Sequence, residues 1–203
     1  MLCIALVACK KENPDTNPGP EVEKEKIVRI KVKYGDIYIW LHKETPLHRD
    51  NFLKLTSEGF FDSTTFHRAV PDFVIQGGDP NSRDENTADD GQGGPGYQID
   101  AEIDSRFPHV YGAVGAARQA DNVNPQRKSS GSQFYIVVNK NGTPNLNGAY
   151  TVFGKVIKGM EVAELISKLP RNRFDVPDEF IRMDAEILEK TLDELNTEFG
   201  FVP

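Results

Sequence analysis

Residues 66–79 read Phe66-His67-Arg68-Ala69-Val70-Pro71-Asp72-Phe73-Val74-Ile75-Gln76-Gly77-Gly78-Asp79. Two runs of β-forming residues flank Pro71-Asp72, a turn pair, and a glycine pair closes the second run. The stretch therefore reads as two neighbouring strands that carry one cation, one amide and two aromatics. Strict period-two alternation puts Phe66 and Arg68 on one face, and Phe73 with Ile75, leaving Gln76 opposite. Taken alone, these residues read equally well as two core phenylalanines and a surface arginine.

Outward from this stretch the pattern stays β-rich. Ile27, Ile30, Val32 and Tyr34 begin a strand, Gly35-Asp36 supplies a turn, and Ile37 to Leu41 returns as a hairpin. Thr45 as cap, Pro46 at the first helical position and Gly59 as a stop frame a helix over 46–58. Gly77–Gly96 and Arg118–Ser132 are long polar loops, a length that points to function or mobility. Between them Val110–Ala117 is small and apolar. Phe134–Val138 and Thr151–Ile157 are strands, and Gly159–Lys168 is a second helix with Val162, Leu165, Ile166 and Leu169 as its buried stripe. Ile181, Met183, Ala185 and Ile187 alternate as a strand, and a short helix is expected over 189–199. Many short strands with two clear, widely separated core helices predict a mainly β chain, a closed, largely antiparallel barrel whose ends the helices cover.

Composition excludes several classes. The 203 residues are 38% apolar and 27% charged, with a formal charge of −7 and no long basic stripe, so phosphate-neutralising nucleic-acid binding is not expected. Both cysteines, Cys3 and Cys9, fall at the start, which removes a disulfide framework or Cys-based metal site from the folded body. The four histidines (His42, His48, His67 and His109) show no ligand spacing and are expected at the surface or as caps. No Gly-x-Ser-x-Gly elbow occurs, and Gly91–Gly96 lacks the following helix of a phosphate cradle. No metal and no cofactor are expected.

Residues 1–8 form an apolar run ending in Leu6-Val7-Ala8, followed by Cys9, a pattern that resembles the lipobox of bacterial lipoproteins. Residues 1–8 are thus expected to be a signal remnant and Cys9 the lipidated residue. A charged segment normally precedes such a run, and none stands here. Residues 9–26, with Pro14, Pro18, Pro20 and a charge-rich end, read as a flexible tether, and 27–203 as one domain. Membrane contact is expected only through the anchor at Cys9, in a bacterial cell envelope.

Two further motifs, Ser130-Gly131-Ser132-Gln133-Phe134-Tyr135-Ile136 and Tyr150-Thr151-Val152-Phe153-Gly154-Lys155-Val156, follow the first in order. Together the three resemble the cyclophilin family of peptidyl-prolyl cis–trans isomerases over essentially the whole domain. The resemblance implies a closed eight-stranded antiparallel barrel capped by two helices, with a groove on its outer face. Arg68 matches the catalytic arginine and Gln76 the glutamine beside it. Phe73 matches the floor of a proline pocket, Val74 a position where Met is common, and Gln133 a second groove glutamine. Ala117 and Arg118 fall where the substrate backbone binds; Phe134, Tyr135 and Leu146 fall in or beside the pocket wall, and Tyr150 where many members carry His. Asn145 replaces a tryptophan of the best-known members, so weak inhibition by cyclosporin is expected. The implied partners are proline-containing polypeptides, and the implied state is a monomer.

Rotation about an X-Pro bond breaks no σ bond, which accounts for the lack of a nucleophile, metal or proton-shuttling pair. It needs an apolar cup for the pyrrolidine ring and a fixed donor for the twisted amide, and Arg68 suits the second because its planar fork holds two partners. The same groove without turnover would make a proline-binding module. A ligand-carrying barrel is disfavoured, because Ile30, Val32, Phe153 and Val156 would fill the lumen.

Overall fold

The computed structural model describes residues 23–203. Cys9, the expected signal remnant and most of the expected tether lie outside the described residues. The remainder is mainly β. Strands β1 (Lys24–Val32) and β2 (Gly35–Leu41) form a hairpin, followed by helix α1 (Pro46–Ser57). Short strands β3 (Thr64–Thr65), β4 (Arg68–Ala69), β5 (Val74–Gly77) and β6 (Gln98–Ile99) come next. They are followed by β7 (Ala113–Ala116), β8 (Ser129–Ser130), β9 (Phe134–Val137) and β10 (Val152–Lys158). Helix α2 (Met160–Ser167), strand β11 (Arg182–Thr191) and helix α3 (Leu192–Phe199) complete the chain.

Nine strands make one curled antiparallel sheet in the order β3-β11-β1-β2-β10-β7-β9-β5-β4, and β6 pairs with β8 separately. The expectation of eight strands in a closed ladder is revised: the ladder is open between β3 and β4. These two edges are consecutive in the chain, separated by Phe66 and His67, so the sheet curls until its edges meet in one stretch. The bend there breaks alternation. Phe66 turns into the main core while Arg68 does not, so the two do not share a face as expected.

The expected domain start at 27 moves back, because β1 pairs with β11 from Lys24↔Thr191 onward. The charge-rich run read as tether is strand, with Glu25 buried and ion-paired to Lys43. Register Val32↔Gly35 also moves the hairpin turn to Lys33-Tyr34; Gly35 takes φ 133°, a conformation that a side chain would strain. On the inner face Val28, Ile30, Ile37 and Ile39 enter the main core. On the outer face Ile27 and Trp40 pack under Leu195 of α3, so the hairpin is buried on both sides there. The third helix is therefore a structural element of the fold, capped by a reciprocal Thr191/Glu194 box.

Phe52 of α1 anchors the barrel interior, with its ring 4.9 Å from Phe61 and 5.3 Å from both Phe134 and Phe153. Helix α2 buries Val162, Ala163 and Ile166, whereas Leu165 is largely exposed and does not belong to the stripe as expected. Nor is α1 capped by the Thr45 side chain. The Glu102 carboxylate takes that place, accepting from the Leu47 and His48 amides at 3.0 and 2.9 Å and meeting His48 Nδ1 at 2.6 Å. A carboxylate at a helix N-terminus satisfies orphan donors and complements the dipole. Replacing it by Glu102→Ala is expected to cost about 1–2 kcal/mol, read as a lowered midpoint in urea denaturation. An unchanged midpoint would rule out the capping role.

Candidate active site

The site is built on the outer face of the sheet by period-two alternation. On β5, Val74 and Gln76 face outward and Ile75 inward; on β9, Tyr135 and Val137 face outward and Phe134 and Ile136 inward. Pairing then aligns one row across four strands: Arg68↔Gln76, Gln76↔Tyr135 and Tyr135↔Gly115. A side chain at Gly115 would overlap the Tyr135 ring, so the ring lies flat over that position.

Around this row lies a pocket of about 210 Å³. Its polar edge is Arg68, Gln76 and Arg118; its apolar walls are Phe73, Val74, Ala117, Tyr135, Leu146 and Tyr150. Phe73 precedes β5 in a turn with Asp72 at φ 53°, so it escapes the alternation that sends Ile75 into the core and shares the face of Val74 instead. The structure thus brings together nine of the residues proposed from the sequence. Gln133 lies next to them. Phe134 does not join them: it is buried in the main core against Phe52, because its neighbour Tyr135 occupies the outward position.

The charges are arranged unequally. The Arg68 guanidinium carbon lies 5.8 Å from the Phe73 ring centre, within cation–π range. Gln76 Nε2 donates to Gln133 Oε1 at 3.0 Å, and Gln133 Nε2 to the Gly93 carbonyl at 2.8 Å. Gln76 is thus tied through Gln133 toward the glycine-rich loop. Arg118 has its side chain only 4% exposed, donates to the Ala149 and Gln119 carbonyls at 2.8 Å each, and pairs with Asp121 at 2.6 Å. Its guanidinium carbon sits 4.4 Å from the Tyr150 ring centre, so Arg118 frames the pocket. Past Gln76, Ala117 and Arg118, a larger polar hollow of about 670 Å³ extends to Gly91–Gln98. Asn145 is exposed and does not line the proline-sized pocket.

Sequence reasoning missed His109 and Asn147, which back the pocket. Their contacts join residues 26 and 38 positions apart, a pairing that no local pattern carries. The expectation of surface histidines also fails, because His48, His67 and His109 are buried. Burial is the leading cause that pushes all four imidazoles below their ordinary value; for His67, Asp79 partly opposes it. At these four histidines the folded state therefore binds fewer protons than the unfolded chain, opposed near pH 6 by Asp90, whose carboxyl is pushed up to about 6 by burial. Stability is full above the unfolded value of about 6.5 and falls as pH drops below it. The melting temperature is expected to fall between pH 7.5 and 5.5, and to fall less in His67→Asn; calorimetry showing a flat profile would contradict this.

Residues 27–187 match the family model described as cyclophilin type peptidyl-prolyl cis-trans isomerase/CLD. The chain is 45% identical over 117 residues to peptidyl-prolyl cis-trans isomerase B of Bacillus subtilis, covering 58% of this chain and 72% of that protein. It is 36% identical over 162 residues to peptidyl-prolyl cis-trans isomerase CYP18-1 of Arabidopsis thaliana, covering 77% and 92%. A crystal structure of a cyclophilin-type isomerase of Cryptosporidium parvum superposes with a TM-score of 0.70 at 30% identity, covering 83% of this chain and 99% of that one. A second structure of that protein was determined in the presence of the dipeptide Ala-Pro and has the same TM-score at 32% identity, covering 81% and 99%.

Proposed function

The chain belongs to the cyclophilin family of peptidyl-prolyl cis–trans isomerases, and from that membership we propose that its outer pocket turns X-Pro bonds with Arg68 as the key donor. The barrier to rotation is about 20 kcal/mol and comes from amide resonance. As the bond twists, the proline nitrogen regains its lone pair. A guanidinium already in place can donate to the twisted amide and bind it better than either planar form, and such differential binding lowers a barrier.

The observation that carries this reading is Arg68 lying over Phe73 at the rim of an apolar hollow large enough for a pyrrolidine ring. Phe73, Val74, Tyr135 and Leu146 hold the ring by shape. The Ala117 amide and carbonyl are already paired with the Gln133 carbonyl and the Ser130 amide, so the Arg118 backbone and the Gln133 side chain are the groups offered to an extended chain. A pure binding module has less need of an arginine at that rim.

Arg68→Ala and Arg68→Lys are each expected to lower kcat/KM on a short X-Pro peptide by about 10²–10³-fold, the range for loss of one preorganised donor, while melting near the wild-type temperature. Lysine keeps the charge but not the planar fork. A coupled-protease or exchange-NMR assay giving near-normal rates for either variant would overturn the role.

The biological setting is the assisted folding of exported proteins by a monomer tethered to a bacterial envelope membrane through lipidated Cys9. Leu6-Val7-Ala8-Cys9 supports it, and multiple acyl chains anchor stably where one does not. Mass spectrometry of the mature protein should find an acylated Cys9 as its first residue. Recovery of an unmodified chain that still begins at Met1 would count against the anchor.

A further inference from the structure

We propose that His109 is a positioning residue of the proline pocket, a strut that ties the Tyr135 wall to the turn carrying the Leu146 wall. His109 is 2% exposed and touches that turn at three points. Its carbonyl accepts from the Thr143 amide at 2.8 Å, just ahead of the 3-10 turn Pro144–Leu146. Its own amide donates to Asn147 Oδ1 at 2.8 Å, and its Nδ1 meets the same oxygen at 2.9 Å. Gly142, at φ 74°, permits this approach; a Cβ there would stand 2.7 Å from the His109 carbonyl oxygen.

The network fixes the tautomer. The backbone amide identifies the Asn147 atom as the oxygen, and an oxygen only accepts, so Nδ1 carries the proton and Nε2 is bare. The Tyr135 hydroxyl then donates to Nε2 at 2.8 Å. Burial raises the Tyr135 phenol above its ordinary value, which keeps that donor protonated. The His109 and Tyr135 rings lie nearly parallel, 5.9 Å apart, and Tyr150 meets both edge-on. With Gly115 beneath the ring and His109 at its far end, Tyr135 has one place to stand, and that place is referenced to Leu146.

A loose wall weakens binding of the proline ring in planar and twisted forms alike, so the loss falls on KM. Tyr135→Phe and His109→Leu are each expected to raise KM for a short X-Pro peptide about three- to tenfold, with kcat nearly unchanged, by NMR line-shape analysis. The double variant should be no worse than the worse single one, because both remove the same bond. His109→Gln, which can still donate to Asn147 and accept from Tyr135, should recover most of the affinity. Additive losses, or an unchanged KM in Tyr135→Phe, would overturn the proposal. Should His109→Leu fail to fold, Tyr135→Phe decides it, since that change deletes a single oxygen. The inference rests on this pocket being the proline site, and Arg68→Ala separates the two: a wrong site leaves its rate intact, whereas a right site without the strut loses rate there and keeps its KM in Tyr135→Phe.

Discussion

Everything at the pocket depends on strand register. Arg68 stands opposite Gln76, Gln76 opposite Tyr135 and Tyr135 opposite Gly115, and each pairing is a backbone fact before it is a chemical one. Because side chains alternate, a slip of one residue on β9 would send Phe134 outward and Tyr135 into the barrel. What prevents the slip is the interior. Phe134, Ile136, Ile75 and Val114 fill the inner face around Phe52, and a slip would replace the Phe134 ring there by Tyr135 with its hydroxyl. The core therefore sets the site twice, by its volume and by the parity that it imposes on the outer face.

A rotation makes unusual demands on a protein. Nothing has to be attacked, protonated or bound to metal, so the site needs stiffness more than reactivity. A group that donates to a half-twisted bond is useful only if it need not move when the bond turns. Arg68 is steadied by Phe73 and by its place in the short β4–β5 pair, and the hollow beside it is lined by rings that are themselves fixed. The glutamine pair Gln76–Gln133 extends this stiffness to the glycine-rich loop through Gly93. That loop is in turn held by Asp79, which is fully buried and accepts from the Gly93 and Asn81 amides at 3.1 and 2.8 Å.

Much of this architecture is legible in the order of the residues. The hairpin, α1, α2 and the strands at β9 and β10 follow from period and punctuation; the three ordered motifs contain six of the nine residues that line the hollow, and the family resemblance they carry supplies Ala117, Arg118 and Leu146. Phe134 is an exception because motif adjacency conflicts there with alternation: residues 134 and 135 cannot share a face of one strand. Phe66 departs for the opposite reason, since alternation does not carry across a bend between two short strands. The run Lys24-Glu25-Lys26 reads as tether because its partner, Glu189-Lys190-Thr191, lies at the other end of the chain. Glu102 as cap of α1, and His109 as support of Tyr135, are likewise long-range contacts that leave no periodic trace.

The cations near the groove bear on what the site can select. Arg127 shares Asp121 with Arg118, and Lys128 pairs with Asp100 at 2.9 Å. Among the described residues lining the pocket, Arg68 is the cation without a carboxylate partner. Had the flanking charges been free, the chain carrying them would draw acidic polypeptides by long-range attraction. Asp121 and Asp100 leave one of the three flanking positive charges unmatched, and in a molecule of formal charge −7 its reach is screened beyond a Debye length of about 8–10 Å. Arg68, the pocket cation without a carboxylate partner, stands at the rim of the hollow, where its proposed role is exercised at contact. On the proposed role of this pocket, selection falls to the shape of the ring and the twist of the amide more than to the charge of the segment around it.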